Sequence, residues 1–571
     1  MASPIHNNSA GMPSLTVGPM RQRSRRACFP CRQRKRKCDG RLPCLTCTGY
    51  GYECRYSDDG DQKGTKRTAS DEVVSPQPFH KAQRLPAQTS TRSQVEGAVA
   101  SPIHHGILDP NKWRYMSSDS AIAFPRVVGL DLQSANPPRL HSFAYNTGLR
   151  PEPGCIVNFQ LVKLIAWNQV QELIKIYEST IHPIFGFLDM ERLYHRCEDH
   201  WKGKPQGPGL EALISGIIGL ASLFSSLLAT DVEMRIVLHA KELLEDPSHS
   251  RFPSIEQVGA WILRTIYIRA TSRPHVSWLS SCTTMHLVEA TGLHREMDQI
   301  VLMGDSRQGY LQEQSDIRQR TAMIAHCLNS VISYDYGRSA VCIGPLSFNK
   351  IIPRDGDFSL RLYGLVRGLP RDDIRMDPDV RKSELVAALK YLLDAPTGHD
   401  FVTITRAELC FCVYRRLRLL DNCLKLEQIE QVITAGTIAL PAARRLMASN
   451  HPWWNVISTV FQFVCVLLAI DSAESIATVP DAMETLEMIT TRLDTHLAKE
   501  AASTARLLVC ASLEKKKKGI SILERVAGVP GVAENASSAE QRWMFDETDW
   551  DLFLQPPPAT QFLDVDFQLQ I

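Results

Sequence analysis

The stretch ACFPCRQRKRKCDGRLPCLTCTGYGYEC, residues 27–54, decides the fold of the amino-terminal part of this 571-residue chain. Its six cysteines follow the spacing C-x2-C-x6-C-x5-C-x2-C-x6-C, so each half is a CxxC with a third cysteine seven positions on. They are Cys28, Cys31, Cys38, Cys44, Cys47 and Cys54. Each CxxC can chelate one ion, and three thiolates leave tetrahedral zinc one ligand short. Because two ions need eight bonds from six sulfurs, two sulfurs must bridge, and the spacing predicts one binuclear zinc cluster.

A disulfide framework or a redox CxxC is the alternative interpretation of these cysteines. Residues 1–15, MASPIHNNSAGMPSL, contain no continuous apolar segment of the kind that a secretory signal needs. This favours a reducing compartment, where clustered cysteines hold metal more often than they form disulfides. We therefore expect two Zn²⁺ ions as the cofactor.

A dense basic run separates the second and third cysteines. Residues 32–37, RQRKRK, carry five cations in six positions. Such a helix is unsuited to a protein core, but it suits the major groove of DNA, where one or two side chains read base edges while their neighbours contact phosphates. A signal for nuclear import alone is the plainer interpretation, and both roles can coexist. The run predicts double-stranded DNA as a partner.

The segment resembles the fungal zinc binuclear cluster (Zn2Cys6) transcription factors, on residues 27–47 followed by Cys54. The resemblance implies that Cys28 and Cys44 bridge the two ions, and Pro43 matches the loop proline of the family. It also implies that Lys35 reads a CGG-type triplet. Phosphate contacts would then come mostly from Arg32, Arg34, Arg36 and Lys37, with Arg25 and Arg26 as an extra arm.

Dimerisation is one point where this sequence departs from the family. Those factors pair over two half-sites, with a spacing set by the linker and a coiled coil. No heptad repeat follows the cluster here. A monomer and a homodimer formed through the helical body both remain open.

Composition divides the chain into five parts, and the fold class expected is mostly α. Residues 1–20 are predicted to be disordered, 21–56 to form the DNA-binding domain, and 57–118 to be a flexible linker. Residues 119–530 are predicted to be a large all-α regulatory domain, because apolar residues recur at a spacing of three to four. Residues 531–571 are expected to form a disordered acidic tail. The helices are predicted over residues 161–177, 209–228, 233–244, 255–270, 278–291, 317–334, 406–424, 440–448, 456–473 and 483–510.

We expect no membrane partner for this chain, and residues 212–230 are the segment that most resembles a membrane span. They contain no charge over 19 positions. Two glycines and four serines interrupt the segment, which makes it marginal as a membrane span. A buried core helix is the better interpretation.

The helical part resembles the middle homology region of the same factors, on residues 278–296 ending GLHRE, residues 318–338 ending YDYGR, and the PWW at 452–454. The resemblance implies a regulatory region that senses a small-molecule effector or holds the factor inactive. From the residues themselves, Gly292 and Gly337 are predicted to end helices, and His294 to have a structural rather than a binding role. The sequence contains no Gly-rich phosphate loop, nucleophile elbow or paired histidine ligands. We therefore expect no enzyme. The alternative is a ligand-binding or enzymatic helical body with an appended DNA-binding module.

The two ends of the chain carry opposite charge although the formal net charge is only +2. Residues 21–55 hold eleven Arg/Lys against two acids, a balance of +9, and residues 539–571 hold seven acids against one arginine, a balance of −6. In WMFDETDWDLFL, residues 543–554, bulky apolar side chains alternate with acids, which is typical of activation segments that bind coactivators. The candidate contacts are Trp543, Phe545, Trp550, Leu552 and Phe553.

Together these patterns predict a nuclear activator of RNA polymerase II transcription that controls a metabolic or biosynthetic gene set. A repressor is the alternative, and a tail that docks back on the body is a further possibility.

Overall fold

Helices dominate the part of the chain that the computed structural model describes, which confirms the mostly α class. The structure describes residues 27–33, 38–50, 54–56, 106–109, 114–117, 119–135, 138, 161–204, 206–246, 254–296, 300–302, 315–344, 346, 348, 351–370, 375–420 and 424–527. The predicted disordered segments 1–20 and 531–571 lie outside these residues, as does most of the predicted linker.

The bounds of the helices follow the chain from the cysteine cluster to residue 527. They are α1 Phe29–Gln33, α2 Leu45–Tyr50, α3 Phe124–Asp131, α4 Leu161–Leu164, α5 Trp167–Thr180, α6 Met190–Trp201, α7 Pro208–Ser222, α8 Thr230–Glu245, α9 Ile255–Thr271, α10 Pro274–Ala290, α11 Ser315–Tyr336, α12 Ser359–Arg367, α13 Pro378–Asp394, α14 Asp400–Leu420, α15 Leu426–Ala448, α16 Asn455–Ile470, α17 Ala473–Leu493 and α18 His496–Ala527.

Helices that are close in sequence pack against one another. Helix α7 contacts α8 and α9, α9 contacts α10, and α10 contacts α11. In the second half of the chain, α14 contacts α13, α15 and α16, and α17 contacts α15 and α16. Local sequence fixes several helix starts: Ser254 Oγ accepts a hydrogen bond from Gln257 N at 3.2 Å and so caps α9.

The uncharged stretch that begins at residue 212 is a core helix, as predicted. Twelve residues of α7 are buried, including Ala212, Ile217 and Ile218. The helix ends at Ser222, six residues before the end that the pattern indicated. Among the residues that the structure describes, no helix is both long enough and apolar enough to span a membrane.

The prediction of one helix over residues 483–510 is wrong. The segment forms two helices, because α17 ends at Leu493 and α18 begins at His496. Between them Asp494 adopts a left-handed conformation with φ of 47°. Aspartate tolerates this conformation better than most residues, so it can end a helix without glycine. The apolar spacing continues across the break between α17 and α18, so the sequence pattern did not reveal it.

A small sheet has two of its strands within the predicted linker and the third far downstream. Strand β1, Gly106–Asp109, pairs antiparallel with β2, Arg114–Ser117, and parallel with β3, Ile300–Leu302. The strands are only three or four residues long, and β3 lies almost 200 positions downstream. Their pairing is a long-range tertiary contact, which local composition does not reveal.

The chain divides into two compact units, Met1–Leu508 and Val509–Ile571. Within the first unit the helices from α4 to α17 form the body. The domain boundaries at residues 20, 56, 118 and 530 stay predictions.

Candidate zinc centre and DNA interface

Two short helices position the paired cysteines, one for each half of the sequence repeat. Helix α1 begins directly after Cys28, and α2 begins directly after Cys44. The two turns are equivalent, since Arg32 N donates to Cys28 O and Thr48 N donates to Cys44 O, both at 2.9 Å. Each helix therefore places its CxxC sulfurs on one side, and the twofold pattern of the sequence is repeated in the fold.

Four of the sulfurs meet in a buried cluster. Cys28 Sγ lies 3.6 Å from Cys44 Sγ and 3.4 Å from Cys47 Sγ, and Cys31 Sγ lies 3.6 Å from Cys44 Sγ. All four residues are at most 2% exposed. Zinc–sulfur bonds of about 2.3 Å in a tetrahedron put neighbouring sulfurs about 3.8 Å apart, whereas a disulfide needs about 2.05 Å. The observed separations fit sulfurs that share a metal ion.

The remaining two cysteines lie at the rim of this cluster. Cys38 and Cys54 are partly buried and pack against the other four. Cys54 Sγ accepts a hydrogen bond from Cys44 N at 3.2 Å, and Cys38 Sγ lies 3.4 Å from Tyr56 Oη. The structure thus brings all six predicted cysteines together, and none of the six is in a disulfide.

Burial makes most of these cysteines hard to ionise in the absence of a cation. Burial raises the pKa of Cys28 to about 11 and also raises the pKa of Cys31, Cys47 and Cys54. Cys38 differs: burial raises its pKa, but the hydrogen bond with Tyr56 and backbone donors outweigh burial and lower the pKa to about 6. A metal ion binds the thiolate form, so zinc would replace the protons of the thiols whose pKa is raised. The donor set fits zinc.

Two residues that sequence reasoning missed hold the loop between the halves. Asp39 carboxylate oxygens accept a hydrogen bond from Leu45 N at 3.3 Å and so cap α2. Tyr56 Oη donates to Arg41 O at 3.0 Å, which ties the end of the cluster to the same loop. Gly40 has φ of 79°. The Asp39–Gly40 pair is a known turn signal, so this part was open to prediction.

Of the predicted DNA contacts, the structure describes only Arg32. It is exposed and lies in the last turn of α1. Arg25, Arg26, Arg34, Lys35, Arg36 and Lys37 lie outside the described residues, as do Trp543, Phe545, Trp550, Leu552 and Phe553. Their assigned roles remain predictions.

The conspicuous residues of the helical body end helices or pack in its interior. Gly292 and Gly337 follow α10 and α11 with φ of 69° and 65°, which confirms both as helix-ending residues. His294 is 7% exposed and packs edge-to-face on Tyr115 of β2, with ring centroids 5.0 Å apart. Trp453 is 3% exposed and packs on Phe401 at 4.6 Å between centroids.

Comparisons with known proteins agree with this site. Residues 26–63 match the model of the fungal Zn(2)-Cys(6) binuclear cluster domain. The chain is 40% identical over 554 residues to Protein RDR1 of Saccharomyces cerevisiae, and the aligned region covers 96% of this chain and 100% of that protein. It is 32% identical over 536 residues to the transcription factor kojR of Aspergillus oryzae, and the aligned region covers 93% of this chain and 91% of that protein. The chain belongs to the fungal Zn(2)-Cys(6) binuclear cluster transcription factors.

Membership of this family settles the cofactor and the broad role. The regulator binds two zinc ions through its cysteine cluster and is a DNA-binding regulator of transcription. The similarity extends through the helical body and is not confined to the cluster. A weaker relative, 25% identical over 297 residues, is a probable transcriptional repressor of Schizosaccharomyces pombe; the match covers 48% of this chain and 62% of that protein. No solved structure matches this chain.

Proposed function

We propose that this zinc cluster regulator is a nuclear activator of RNA polymerase II transcription that reads CGG-type half-sites in genes of a metabolic or biosynthetic set. The observation that carries the proposal is the placement of α1. Buried sulfurs hold this helix at Cys28 and Cys31, and the exposed Arg32 in its last turn leads directly into the basic run. A rigid metal cluster can thus present the run to the major groove.

Within the cluster, Cys28 and Cys44 would be the bridging ligands, as the resemblance to the family implies. A bridging sulfur must lie near ligands of both ions, and Cys44 Sγ is 3.6 Å from the sulfurs of both Cys28 and Cys31. Cys28 Sγ in turn approaches Cys47 Sγ at 3.4 Å, across the two halves of the repeat. Zinc supplies charge neutralisation and a fixed geometry here, and the protein supplies the six sulfurs.

The DNA readout is tested with one base-reading and one phosphate-contacting variant of the full chain. We expect Lys35→Ala to lose about 1–3 kcal/mol of discrimination between a CGG duplex and a scrambled duplex, because one base-edge contact is removed. Fluorescence anisotropy titrations of both duplexes at several salt concentrations measure this. Arg34→Ala is the matched control: it should weaken both duplexes equally and reduce the salt slope by about one. Unchanged discrimination in Lys35→Ala removes this residue from base reading.

The acidic tail supports activation rather than repression. Trp543, Phe545, Trp550, Leu552 and Phe553 supply apolar contacts for a coactivator groove, and the acids between them keep the segment in solution. Fusion of residues 535–571 to an unrelated DNA-binding domain should raise transcription of a reporter. A second fusion in which these five residues are alanine is the control and should be inactive.

Repression is the second candidate, and the relative from Schizosaccharomyces pombe favours it because its name describes a probable transcriptional repressor. The same reporter fusion separates the candidates, since lowered transcription from a reporter with basal activity supports only repression. The body is proposed to be regulatory and non-catalytic, in line with similarity to a transcription factor over almost the whole chain. Turnover of a small molecule by the full chain would contradict this.

A further inference from the structure

The last helix changes its surroundings along its length. In its first half, Ala498, Ala502 and Ala505 are buried. The same face continues at helical spacing through residues 509, 513, 520 and 523. There Leu513, Ile520 and Leu523 are 53%, 54% and 69% exposed. Helix α18 thus carries an apolar stripe over its carboxyl half, at residues 509–527, which the described part of the chain leaves uncovered.

Positive charge surrounds this stripe. Residues 509–527 contain four consecutive lysines, 515–518, and Arg525, against Glu514 and Glu524, a balance of five cations to two acids. Lys517 and Lys518 are exposed, on the turn between Leu513 and Ile520. We call this surface, formed by Leu513, Ile520, Leu523 and the four lysines, the lysine–leucine face. An occupant that fits it combines bulky apolar side chains with acids.

A second copy of the chain fits this face poorly. The lysine run lies near the middle of residues 509–527, so pairing two copies puts lysines opposite lysines in either a parallel or an antiparallel arrangement. Like charges at such positions are destabilising, and they oppose self-association.

The acidic tail of this same chain has the complementary chemistry. Residues 543–554, WMFDETDWDLFL, contain four acids and no cation, together with two tryptophans, two phenylalanines and two leucines. Residues 528–542 connect them to α18, and they begin with Gly-Val-Pro-Gly, a composition typical of turns. Fifteen residues span up to about 50 Å when extended, which exceeds the length of about 28 Å that the 19 residues of the face occupy. The tail can therefore fold back along the helix.

We infer that residues 543–554 dock on the lysine–leucine face of their own chain, with acids against the lysine run and aromatic side chains on the apolar stripe. The inference goes beyond the proposed function and does not depend on DNA binding or on activation. It assigns an occupant to the exposed apolar stripe, and it accounts for the lysine run on the same surface.

The test is carbodiimide crosslinking of the full chain, which joins a carboxylate to a lysine amine as an amide while the reagent becomes its urea. An equal mixture of ¹⁴N- and ¹⁵N-labelled chains is crosslinked and analysed by peptide mass spectrometry. We expect amides between lysines 515–518 and the acids at 546–551 that join peptides of the same label. Mixed-label crosslinks would instead identify a second copy as the occupant and overturn the inference.

Variants separate the apolar contact from the charge. Leu513→Ser together with Leu523→Ser leaves every lysine in place, and we expect this variant to lose the crosslink. Both side chains are more than half exposed, so the fold of the body should be unaffected. Leu279→Ser is the matched control, because Leu279 is an exposed leucine on α10, and it should retain the wild-type yield. An unchanged yield in the double variant, or equal crosslinking of the tail to Lys175 and Lys202 of the helical body, refutes the docking.

Discussion

At the scale of single residues, the chain separates cysteines that bind metal from cysteines that only fill space. Cys44 lies within 3.6 Å of two other sulfurs, whereas Cys197 of α6 is equally buried and stands apart from the cluster. Burial raises the pKa of Cys197 to about 12, so it remains a thiol. Cys44 and Cys197 therefore differ in their neighbouring side chains and not in their exposure to solvent.

This contrast gives a prediction for zinc content. We expect Cys44→Ser to lose most of its bound zinc, because a bridging sulfur serves both ions. Cys197→Ser should retain two ions per chain and lose about 1–3 kcal/mol of stability from burying a hydroxyl. Elemental analysis after exhaustive dialysis measures both. Two ions bound by Cys44→Ser would show that Cys44 does not bridge.

A second prediction concerns pH and His294. Burial lowers the pKa of this residue to about 4, and the charges of Arg295 and Arg318 act in the same direction. Between about pH 6.5 and 4 the unfolded chain takes up a proton at this position that the folded chain does not bind. The free energy of unfolding therefore falls as the pH drops through this window, by up to about 3 kcal/mol.

Urea denaturation at pH 7.5 and 4.5 checks this linkage. His294→Gln has no titrating ring, so its loss of stability between the two values should be smaller than that of the wild type. The control is His286→Gln, because the His286 side chain is 66% exposed. The linkage is wrong if His294→Gln and His286→Gln show the same dependence on pH.

At the scale of elements, glycines decide where two body helices end. After α10, Gly292 N donates to Glu289 O and Leu293 N donates to Val288 O, both at 3.0 Å. After α11, Arg338 N donates to Ser333 O at 2.8 Å, across Gly337. Both glycines have positive φ, but their surroundings differ: a Cβ at Gly292 would lie 2.8 Å from Tyr115 Cβ, and one at Gly337 would meet nothing within 4 Å.

The two glycines therefore make a matched pair. Gly337→Ala should cost about 1 kcal/mol from backbone strain alone. Gly292→Ala should cost about 2–4 kcal/mol, because the added methyl also pushes β2 away from the body. Chemical denaturation of both variants measures the difference. Equal losses of stability in the two variants would show that Tyr115 can move away from the added methyl group at no cost in free energy.

Elements also show what the sequence could predict. The spacing of apolar residues identified most body helices, and glycine identified two of their ends, because both signals are local. The break at Asp494 and the pairing of β1 with β3 were missed, because one uses a non-glycine residue with positive φ and the other joins distant segments. A binuclear cluster could be predicted from the sequence, because two four-coordinate zinc ions can share six cysteine sulfurs in few ways.

At the scale of the whole molecule, the body depends on contacts that no local pattern predicts. Arg320 of α11 is fully buried, yet its guanidinium pairs with Asp316 at 2.9 Å and with Asp357, and it donates to Ile352 O. A charged arginine at a buried position contradicts the apolar spacing expected of a core helix, and only its partners explain it. Asp316 lies one turn away on α11, whereas Asp357 and Ile352 belong to the segment before α12, so the tertiary fold alone brings those two to Arg320.

The most direct test of the central claim is the dependence of DNA binding on zinc in the full chain. Affinity for a CGG duplex is measured by fluorescence anisotropy with two zinc ions bound, after their removal by a chelator, and after zinc is restored. We predict that removal lowers specific affinity at least about 1000-fold, to the level of a scrambled duplex, and that restored zinc recovers it. Equal affinity and discrimination in the zinc-free chain would contradict the account.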